Sequence, residues 1–251
     1  MQIEKIVGIA RKAGKKILEI YNDSNLSEVV DYKADDSPLT LADGAANDII
    51  IEGLKTLEVQ YPILSEESKH APFGERKEWS TFWLVDPLDG TKEFIKRNGE
   101  FTVNIALIEN GHPILGVIYV PVTDVMYWGS ASGAFKQIGN NAATTLKVNF
   151  SDKSRIAVRS KSHASVDEEV VLDKFDVVNS ISVGSSLKFC MVAEGKADVY
   201  YRYGPTMEWD TGAGHAIVVA AGGQVYRETS KNPFTYNKEK LLNGSFLCLG
   251  F

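Results

Sequence analysis

The chain contains 251 residues, which is enough to bury one large hydrophobic core or two compact ones. Hydrophobic residues make up 44% and charged residues 24%, so the composition is that of an ordinary globular protein. The formal net charge of -6, with no basic stripe, excludes a nucleic-acid polymer as partner and requires bound cations if a phosphate ester is to be received.

Targeting and redox signals are weak. Charges near the start of the chain interrupt the apolar run that a secretory signal needs, and no transmembrane segment is predicted. Cys190 and Cys248 lie in apolar surroundings and are predicted to be buried free thiols. We expect a cytoplasmic protein, with a peripheral position on the inner membrane left open, and either a monomer or a homodimer.

The part of the chain up to about residue 150 predicts two helices packed on a largely antiparallel sheet. Helical spacing of apolar residues from Ile3 to Tyr21 predicts the first helix, and a second begins near Thr40. Strands are predicted at 81–85, 102–108, 114–120, 125–128 and 134–138. Asn110 and Gly139 mark predicted turns or loops next to these strands.

After residue 151 the pattern changes to alternating strands and helices. Helices are predicted at 167–175, 187–194 and 212–221, between strands at 156–158, 177–179, 199–201, 225–226 and 246–249. The sequence therefore predicts a first domain at 1–150 of the α+β type and a second domain at 151–251 of the α/β type.

The segment from Asp86 to Thr91 (Asp-Pro-Leu-Asp-Gly-Thr) is the most informative one. A buried strand leads into two carboxylates, Asp86 and Asp89, and then to Gly90 and Thr91. A helix that begins after Gly90 would turn its free amide groups toward a phosphate. The alternative is a tight turn, because Asp-Pro and Asp-Gly are common turn pairs.

Three other acidic clusters lie at the ends of predicted elements. Glu66 and Glu67 follow an apolar strand, Asp210 precedes an apolar helix, and Asp43 follows Thr40 by three residues. Each has a structural alternative, which is a solvated loop, a helix N-cap and a capping box, respectively. Together, converging carboxylates favour a bound cation, and the absence of Cys/His pairs favours magnesium over zinc.

These motifs resemble those of the inositol monophosphatase-like, lithium-sensitive phosphatases. Three segments are similar to the bacterial CysQ-type 3'(2'),5'-bisphosphate nucleotidase branch, namely 33–40, 183–195 and 202–210. The resemblance spans nearly the whole chain and implies a layered α-β-α-β sugar-phosphatase fold, with two sheets and packed helices.

The resemblance also implies roles for individual residues. Two or three Mg²⁺ ions would be held by Glu66, Asp86, Asp89 and Asp210 with the backbone carbonyl of Leu88. Asp43 and Thr91 would form a catalytic dyad that activates water. The substrate contacts implied are Gly90, Thr91, His163, Ser185, Lys188, Arg202 and Asp210.

Three positions depart from the pattern of this branch. Lys161 stands where Arg is frequent, Ser65 replaces a frequent Gly, and Gly212 replaces a frequent Ala. None of these removes an implied metal ligand. Most metal ligands would therefore come from the first domain, while the second supplies Asp210 and the nucleotide contacts.

The expected activity is magnesium-dependent hydrolysis of the 3'-phosphate of 3'-phosphoadenosine 5'-phosphate, yielding AMP and phosphate. The resemblance implies a role in recycling this by-product of sulfur assimilation, and inhibition by lithium. One alternative is an inositol monophosphatase or another small phosphate-ester phosphatase. An alternative of another class is a phosphonucleotide sensor that binds without hydrolysing.

Overall fold

The computed structural model describes residues 3–23, 25, 30–32, 38–150, 153–160 and 166–251. Its seven α-helices within these ranges are α1 (Ile3–Asn22), α2 (Leu41–Lys55), α3 (Phe73–Arg76), α4 (Thr91–Ile95), α5 (Val166–Leu172), α6 (Leu187–Ala193) and α7 (Glu208–Ala220). Short 3-10 turns occupy Pro121–Thr123 and Asp173–Phe175. None of these helices is long and apolar enough to cross a lipid bilayer.

The strands form two main sheets and two short ribbons. The strands before residue 150 are β1 (Val30–Tyr32), β2 (Pro38–Thr40), β3 (Ile63–Ser65), β4 (Thr81–Asp89), β5 (Thr102–Glu109), β6 (His112–Val120), β7 (Val125–Ser130), β8 (Gly133–Ile138) and β9 (Thr144–Leu146). Those after it are β10 (Arg155–Ser160), β11 (Val177–Val183), β12 (Val199–Arg202), β13 (Thr206–Met207), β14 (Gln224–Arg227), β15 (Asn232–Pro233), β16 (Leu242–Asn243) and β17 (Phe246–Leu249).

The first sheet has seven strands in the order β3-β4-β5-β6-β7-β8-β9. All neighbours are antiparallel except β3 and β4, which run parallel. The second sheet has the order β11-β10-β12-β17-β14-β15, with parallel and antiparallel pairs. The predicted mixture of α and β structure in two sheets is confirmed.

Two helical layers cover the first sheet. One face carries α1 and α2, whose buried residues share an apolar cluster with Trp83, Ile105 and Val117. The opposite face carries α7, whose Ala213 and Ile217 share a second cluster with Leu84 and Ile118. This second cluster continues into the second sheet through buried residues such as Tyr200, Phe246 and Cys248. Both cysteines are buried free thiols, as predicted.

Helix α7 approaches the sheet so closely at two positions that only glycine fits on the sheet there. A Cβ atom added to Gly116 of β6 would stand 2.3 Å from the carbonyl oxygen of Ala213. One added to Gly129 of β7 would stand 2.6 Å from the Cα atom of Ile217. Glycine at these two positions therefore sets the distance between α7 and the sheet, and with it the position of Asp210.

Most predicted elements occur near their predicted bounds, but α7 begins earlier than expected. The sequence prediction began this helix at Gly212, whereas the structure begins it at Glu208. Asp210 therefore lies in the first turn of the helix, not before it. Glu208 is fully buried and accepts hydrogen bonds from the amides of Asn237 and Lys238, at 2.7 and 2.9 Å, which stabilises this start.

Candidate active site

Three carboxylates from separate segments converge at one edge of the first sheet. Strands β3 and β4 are parallel and pair Ser65 with Val85, so the next residues along the two strands, Glu66 and Asp86, lie side by side. Asp210 reaches the same place from the first turn of α7. One ligand oxygen from each of these three residues lies within 4.8 Å of the other two. An all-oxygen group of this kind can bind a divalent metal ion.

The electrostatics of this cluster suit a cation. Burial raises the pKa of Asp86, and the carboxylates of Glu66 and Asp89 raise it further. Burial likewise raises the pKa of Asp210, although the backbone N–H of Met207, which donates to Oδ2 at 2.7 Å, opposes the rise. Crowded negative charges are costly away from water, so a bound cation would stabilise the ionised forms.

Asp89 lies in the same pocket, but not in the tight group of three. Between Asp86 and Asp89 the pairing of β4 with β5 is interrupted by a bulge, which changes the direction of the chain. The Oδ2 atom of Asp89 accepts a hydrogen bond from the Ser186 hydroxyl at 2.6 Å and one from the Asn104 amide at 3.3 Å. Its orientation is therefore set by neighbouring strands and by the start of α6.

Asp43 and Thr91 are brought together at the edge of this pocket. Thr40 caps α2, and both its backbone N–H and its hydroxyl donate to Oδ2 of Asp43, at 2.8 and 2.6 Å. The predicted capping box is therefore present. The other carboxylate oxygen, Oδ1, lies 3.3 Å from the Thr91 hydroxyl, which is also 3.4 Å from the Leu88 carbonyl oxygen.

The predicted turn after Asp89 leads directly into a short helix. Gly90 has a left-handed backbone (φ 94°) and precedes α4, which begins at Thr91. A side chain at position 90 would be strained, and its Cβ would lie 3.2 Å from the Glu100 carbonyl oxygen. The expected helix start therefore exists, and the Gly90 and Thr91 backbones border the carboxylate pocket.

Two pockets adjoin at Gly90. We use the term acidic pocket for the one that contains Glu66, Asp86, Leu88 and Thr91. We use the term lysine pocket for the one that contains Ser160, Ser185, Lys188 and Tyr200. The two pockets share one wall, which we call the junction and which consists of Asp89, Gly90, Lys92, Glu93, Arg202, Pro205 and Asp210.

Lys188 is a buried cation in the lysine pocket. It is 7% exposed, and its Nζ atom donates to the Ser185 carbonyl oxygen at 2.6 Å. Burial lowers the pKa of Lys188 to about 8, while Asp89 partly counteracts this effect. Arg202 donates to the Pro205 carbonyl oxygen at 3.3 Å, and its buried Nε has no hydrogen-bond partner within the described ranges.

Not every predicted substrate contact lies in the described structure. Ser185 lines the lysine pocket, but His163 and Lys161 lie outside the described residues. The two other residues that depart from the family pattern, Ser65 and Gly212, have structural roles. The Ser65 hydroxyl donates to Asn47 at 2.7 Å, and Gly212 leaves room for Leu84, whose Cδ2 would lie 2.8 Å from an added Cβ.

Sequence reasoning missed a polar network behind Asp89. Ser186 accepts a hydrogen bond from the Asn104 amide at 2.7 Å, and the Thr102 hydroxyl donates to Asn104 Oδ1 at 3.0 Å. The available signal was the alternation of Thr102 and Asn104 in an otherwise apolar strand, which places two polar groups on one face. Glu93, at the junction, was also missed.

Comparison with known proteins agrees with this geometry. The profile of the inositol monophosphatase family matches residues 2–247. The chain belongs to the inositol monophosphatase family. The expectation drawn from the resemblance is confirmed at this level.

Individual members of the family give a finer comparison. The "3'(2'),5'-bisphosphate nucleotidase CysQ" of Salmonella typhimurium is 46% identical over 245 residues, covering 97% of this chain and 98% of that protein. The protein of the same name from Escherichia coli K12 is 46% identical over 246 residues, with the same coverage.

Solved structures of family members share the fold. The crystal structure of CysQ from Bacteroides thetaiotaomicron has a TM-score of 0.87 and 44% identity, covering 100% of this chain and 98% of that one. The inositol monophosphatase from Anabaena has a TM-score of 0.76 at 24% identity, covering 100% of this chain and 92% of that one, which is a likeness of fold alone.

Proposed function

We propose that the protein is a magnesium-dependent 3'(2'),5'-bisphosphate nucleotidase that converts 3'-phosphoadenosine 5'-phosphate to AMP and phosphate. The main observation is that the acidic pocket and the lysine pocket adjoin at Gly90. A substrate with two phosphates needs two anion sites a short distance apart. The relatives of 46% identity bear the name of this activity.

The donor set of the acidic pocket fits magnesium. Glu66, Asp86 and Asp210 would hold the ions, joined by Asp89 and the carbonyl oxygen of Leu88. All of these are hard oxygen ligands, which Mg²⁺ prefers. When bound, the ions would supply positive charge to the phosphate oxygens and make water more acidic.

The dyad of Asp43 and Thr91 would orient and deprotonate the attacking water. Both Thr40 donors occupy Oδ2 of Asp43, so Oδ1 is left to face the Thr91 hydroxyl. When that hydroxyl donates to Asp43, its oxygen can take the water proton while its own proton passes to the Asp43 carboxylate, which is the final acceptor. The amides of Gly90 and Thr91 would bind oxygens of the scissile phosphate.

The lysine pocket would receive the rest of the nucleotide. Lys188 and Arg202 are proposed to bind the second phosphate, with Ser185 alongside and His163 on the nucleoside side. The first domain would thus supply most metal ligands, and the second the nucleotide contacts and Asp210. We also propose a cytoplasmic role in recycling this by-product of sulfur assimilation, with inhibition by lithium.

Phosphate release from a substrate panel tests the proposal. With magnesium, we expect 3'-phosphoadenosine 5'-phosphate to be hydrolysed faster than inositol 1-phosphate or fructose 1,6-bisphosphate. Asp86→Asn should lower kcat by a factor on the order of 10³ or more, because the proposed metal ions lose a charged ligand and stabilise the phosphate charge less well. Asp48→Asn, on the exposed face of α2, is the matched control and should leave kcat unchanged.

Two results would contradict this proposal in different ways. Faster hydrolysis of inositol 1-phosphate would replace the nucleotidase with another phosphatase. Tight nucleotide binding without magnesium-dependent phosphate release would favour the non-hydrolysing sensor.

A further inference from the structure

Glu93 is an acidic residue at the junction that the mechanism above does not use. It lies on α4, two residues after Thr91, and lines both the acidic pocket and the lysine pocket. Asp89 and Asp210, the other two carboxylates of the junction, are proposed metal ligands. A third carboxylate beside a phosphate site repels the phosphate. Glu93 is therefore suited to bind another part of the substrate, one that donates a hydrogen bond.

The side chain of Glu93 is held close to Gly90. A Cβ atom added to Gly90 would lie 3.4 Å from Oε2 of Glu93, so the carboxylate borders the turn proposed to cradle the scissile phosphate. On its other side, a Cβ added to Gly184 would lie 2.9 Å from Cγ of Glu93. The side chain thus packs on the backbone between β11 and α6, and this contact limits where the carboxylate can move.

The surroundings of Glu93 raise its pKa, and its carboxyl oxygens can accept a hydrogen bond in either protonation state. Burial raises its pKa and Asp89 raises it further, while its own backbone N–H, Lys188 and Lys96 act in the opposite direction. An ionised carboxylate is an acceptor only, and it binds hydroxyl groups more strongly than a neutral acceptor does.

The junction is where the sugar of a bisphosphate nucleotide would lie. If the scissile phosphate occupies the acidic pocket and the second phosphate the lysine pocket, the ribose that connects them passes Glu93. On a ribose with a phosphate at the 3' or 2' position, the adjacent carbon carries a free hydroxyl, and this hydroxyl is a hydrogen-bond donor.

We propose that Glu93 is a specificity-determining residue that accepts a hydrogen bond from the ribose hydroxyl adjacent to the scissile phosphate. This inference rests on the proposed function. The negative charge of the ionised Glu93 carboxylate would also disfavour a second phosphate at the adjacent carbon. Glu93 would therefore select ribonucleotides over 2'-deoxyribonucleotides, and a free adjacent hydroxyl over a phosphorylated one.

The test compares kcat/KM for 3'-phosphoadenosine 5'-phosphate with kcat/KM for its 2'-deoxy counterpart. In the unaltered protein we expect the ribonucleotide to be favoured by roughly tenfold or more, since a hydrogen bond to a charged group is lost without the hydroxyl. In Glu93→Gln the ratio should fall to about threefold or less, mainly through slower use of the ribonucleotide. Glu93→Asp, which keeps the charge, should retain part of the preference.

The comparison separates recognition from a merely structural role. A structural role would slow both substrates equally and leave their ratio unchanged, which would overturn the inference. Glu109→Gln, an exposed carboxylate at the end of β5, is the matched control and should alter neither rate. A ratio near one in the unaltered protein would overturn the role of Glu93 alone. Absence of hydrolysis of either nucleotide would overturn the proposed function as well.

Discussion

The Ser186 hydroxyl lies 2.6 Å from Oδ2 of Asp89 and donates a hydrogen bond to it. Ser186 immediately precedes α6 and is buried, whereas Asp89 ends β4. The bond therefore connects the segment that precedes α6 to a proposed metal ligand. A carboxylate whose orientation is fixed in this way has less freedom to lose when it binds an ion.

Replacing Ser186 by Ala should weaken magnesium binding. The loss of this oriented hydrogen bond is expected to raise the magnesium concentration for half-maximal activity by about 10- to 100-fold. The free energy of unfolding should fall by about 1 kcal/mol, because the buried Asn104 amide also loses an acceptor. Magnesium titrations of activity measure the first effect, and urea unfolding the second. Ser182→Ala, at an exposed position of β11, serves as the control and should change neither.

Replacing Thr91 by Val should act on kcat and leave KM nearly unchanged. Valine keeps the shape of the side chain but removes the hydroxyl that faces Asp43. Loss of a positioned proton acceptor commonly lowers kcat by about 10²- to 10⁴-fold. Thr91→Ser restores the hydroxyl and should recover most of the rate. Steady-state kinetics in saturating magnesium would refute the dyad if Thr91→Val kept kcat within a few fold.

The burial of Lys188 should make the protein less stable near neutral pH than it would be with an apolar residue there. Its folded-state pKa is lowered to about 8 from an ordinary value of 10.5. The unfolded chain thus binds more protons between these values. The cost of burial is fully present below about pH 8 and disappears as the pH rises through 10.5.

Lys188→Met should therefore raise the free energy of unfolding at pH 7 by up to roughly 3 kcal/mol, and by less at pH 10. Urea unfolding at the two pH values measures the difference. A variant that is less stable than the unaltered protein at pH 7 would show that the hydrogen bonds to the Ser185 and Val183 carbonyls outweigh the cost of burial.

The same residue links pH to substrate binding. If Lys188 binds the second phosphate, KM for 3'-phosphoadenosine 5'-phosphate should rise as the pH passes about 8, because the ammonium group loses its charge. Adenosine 3'-monophosphate lacks the second phosphate, and its KM should not follow this curve. Parallel curves for the two substrates would remove Lys188 from phosphate binding.

Replacing Gly116 by Ala should disturb the active site from a distance. The added Cβ would press on the backbone of α7 at Ala213, so we expect a loss of roughly 2 to 3 kcal/mol in the free energy of unfolding. Because α7 carries Asp210, magnesium affinity should also fall. Gly44→Ala on α2 meets nothing within 4 Å and should stabilise the protein by about 0.5 to 1 kcal/mol. Equal stability of the two variants would contradict close packing beneath α7.

The local motifs of the site could be predicted from sequence because their geometry depends on near neighbours. The capping box of Thr40 and Asp43, three residues apart, is formed as expected. The strand that leads to Asp86 and the turn at Gly90 are likewise determined by short segments. Their roles in binding and catalysis stay predictions that the experiments above test.

Contacts between distant segments could not be predicted in the same way. Asn104 and Ser186 are 82 positions apart, and nothing in either segment specifies the other. The start of α7 was predicted at Gly212 instead of Glu208 because the hydrogen bonds that hold Glu208 come from Asn237 and Lys238, 29 and 30 positions away. Gly212 and Gly214 have a low intrinsic preference for helix, yet α7 requires glycine there, since a Cβ at Gly214 would lie 2.4 Å from the Phe189 ring. Packing between layers outweighs the local preference.

The hydrogen bonds from Thr40 to Asp43 also bear on how the protein becomes active. They begin α2, and they leave the other oxygen of Asp43 facing Thr91. An unfolded or frayed first turn would release that carboxylate even if every metal ligand were in place. If Asp43 and Thr91 act as proposed, formation of one helical turn and readiness for hydrolysis are a single event, and a nascent chain could not turn over substrate before α2 has formed.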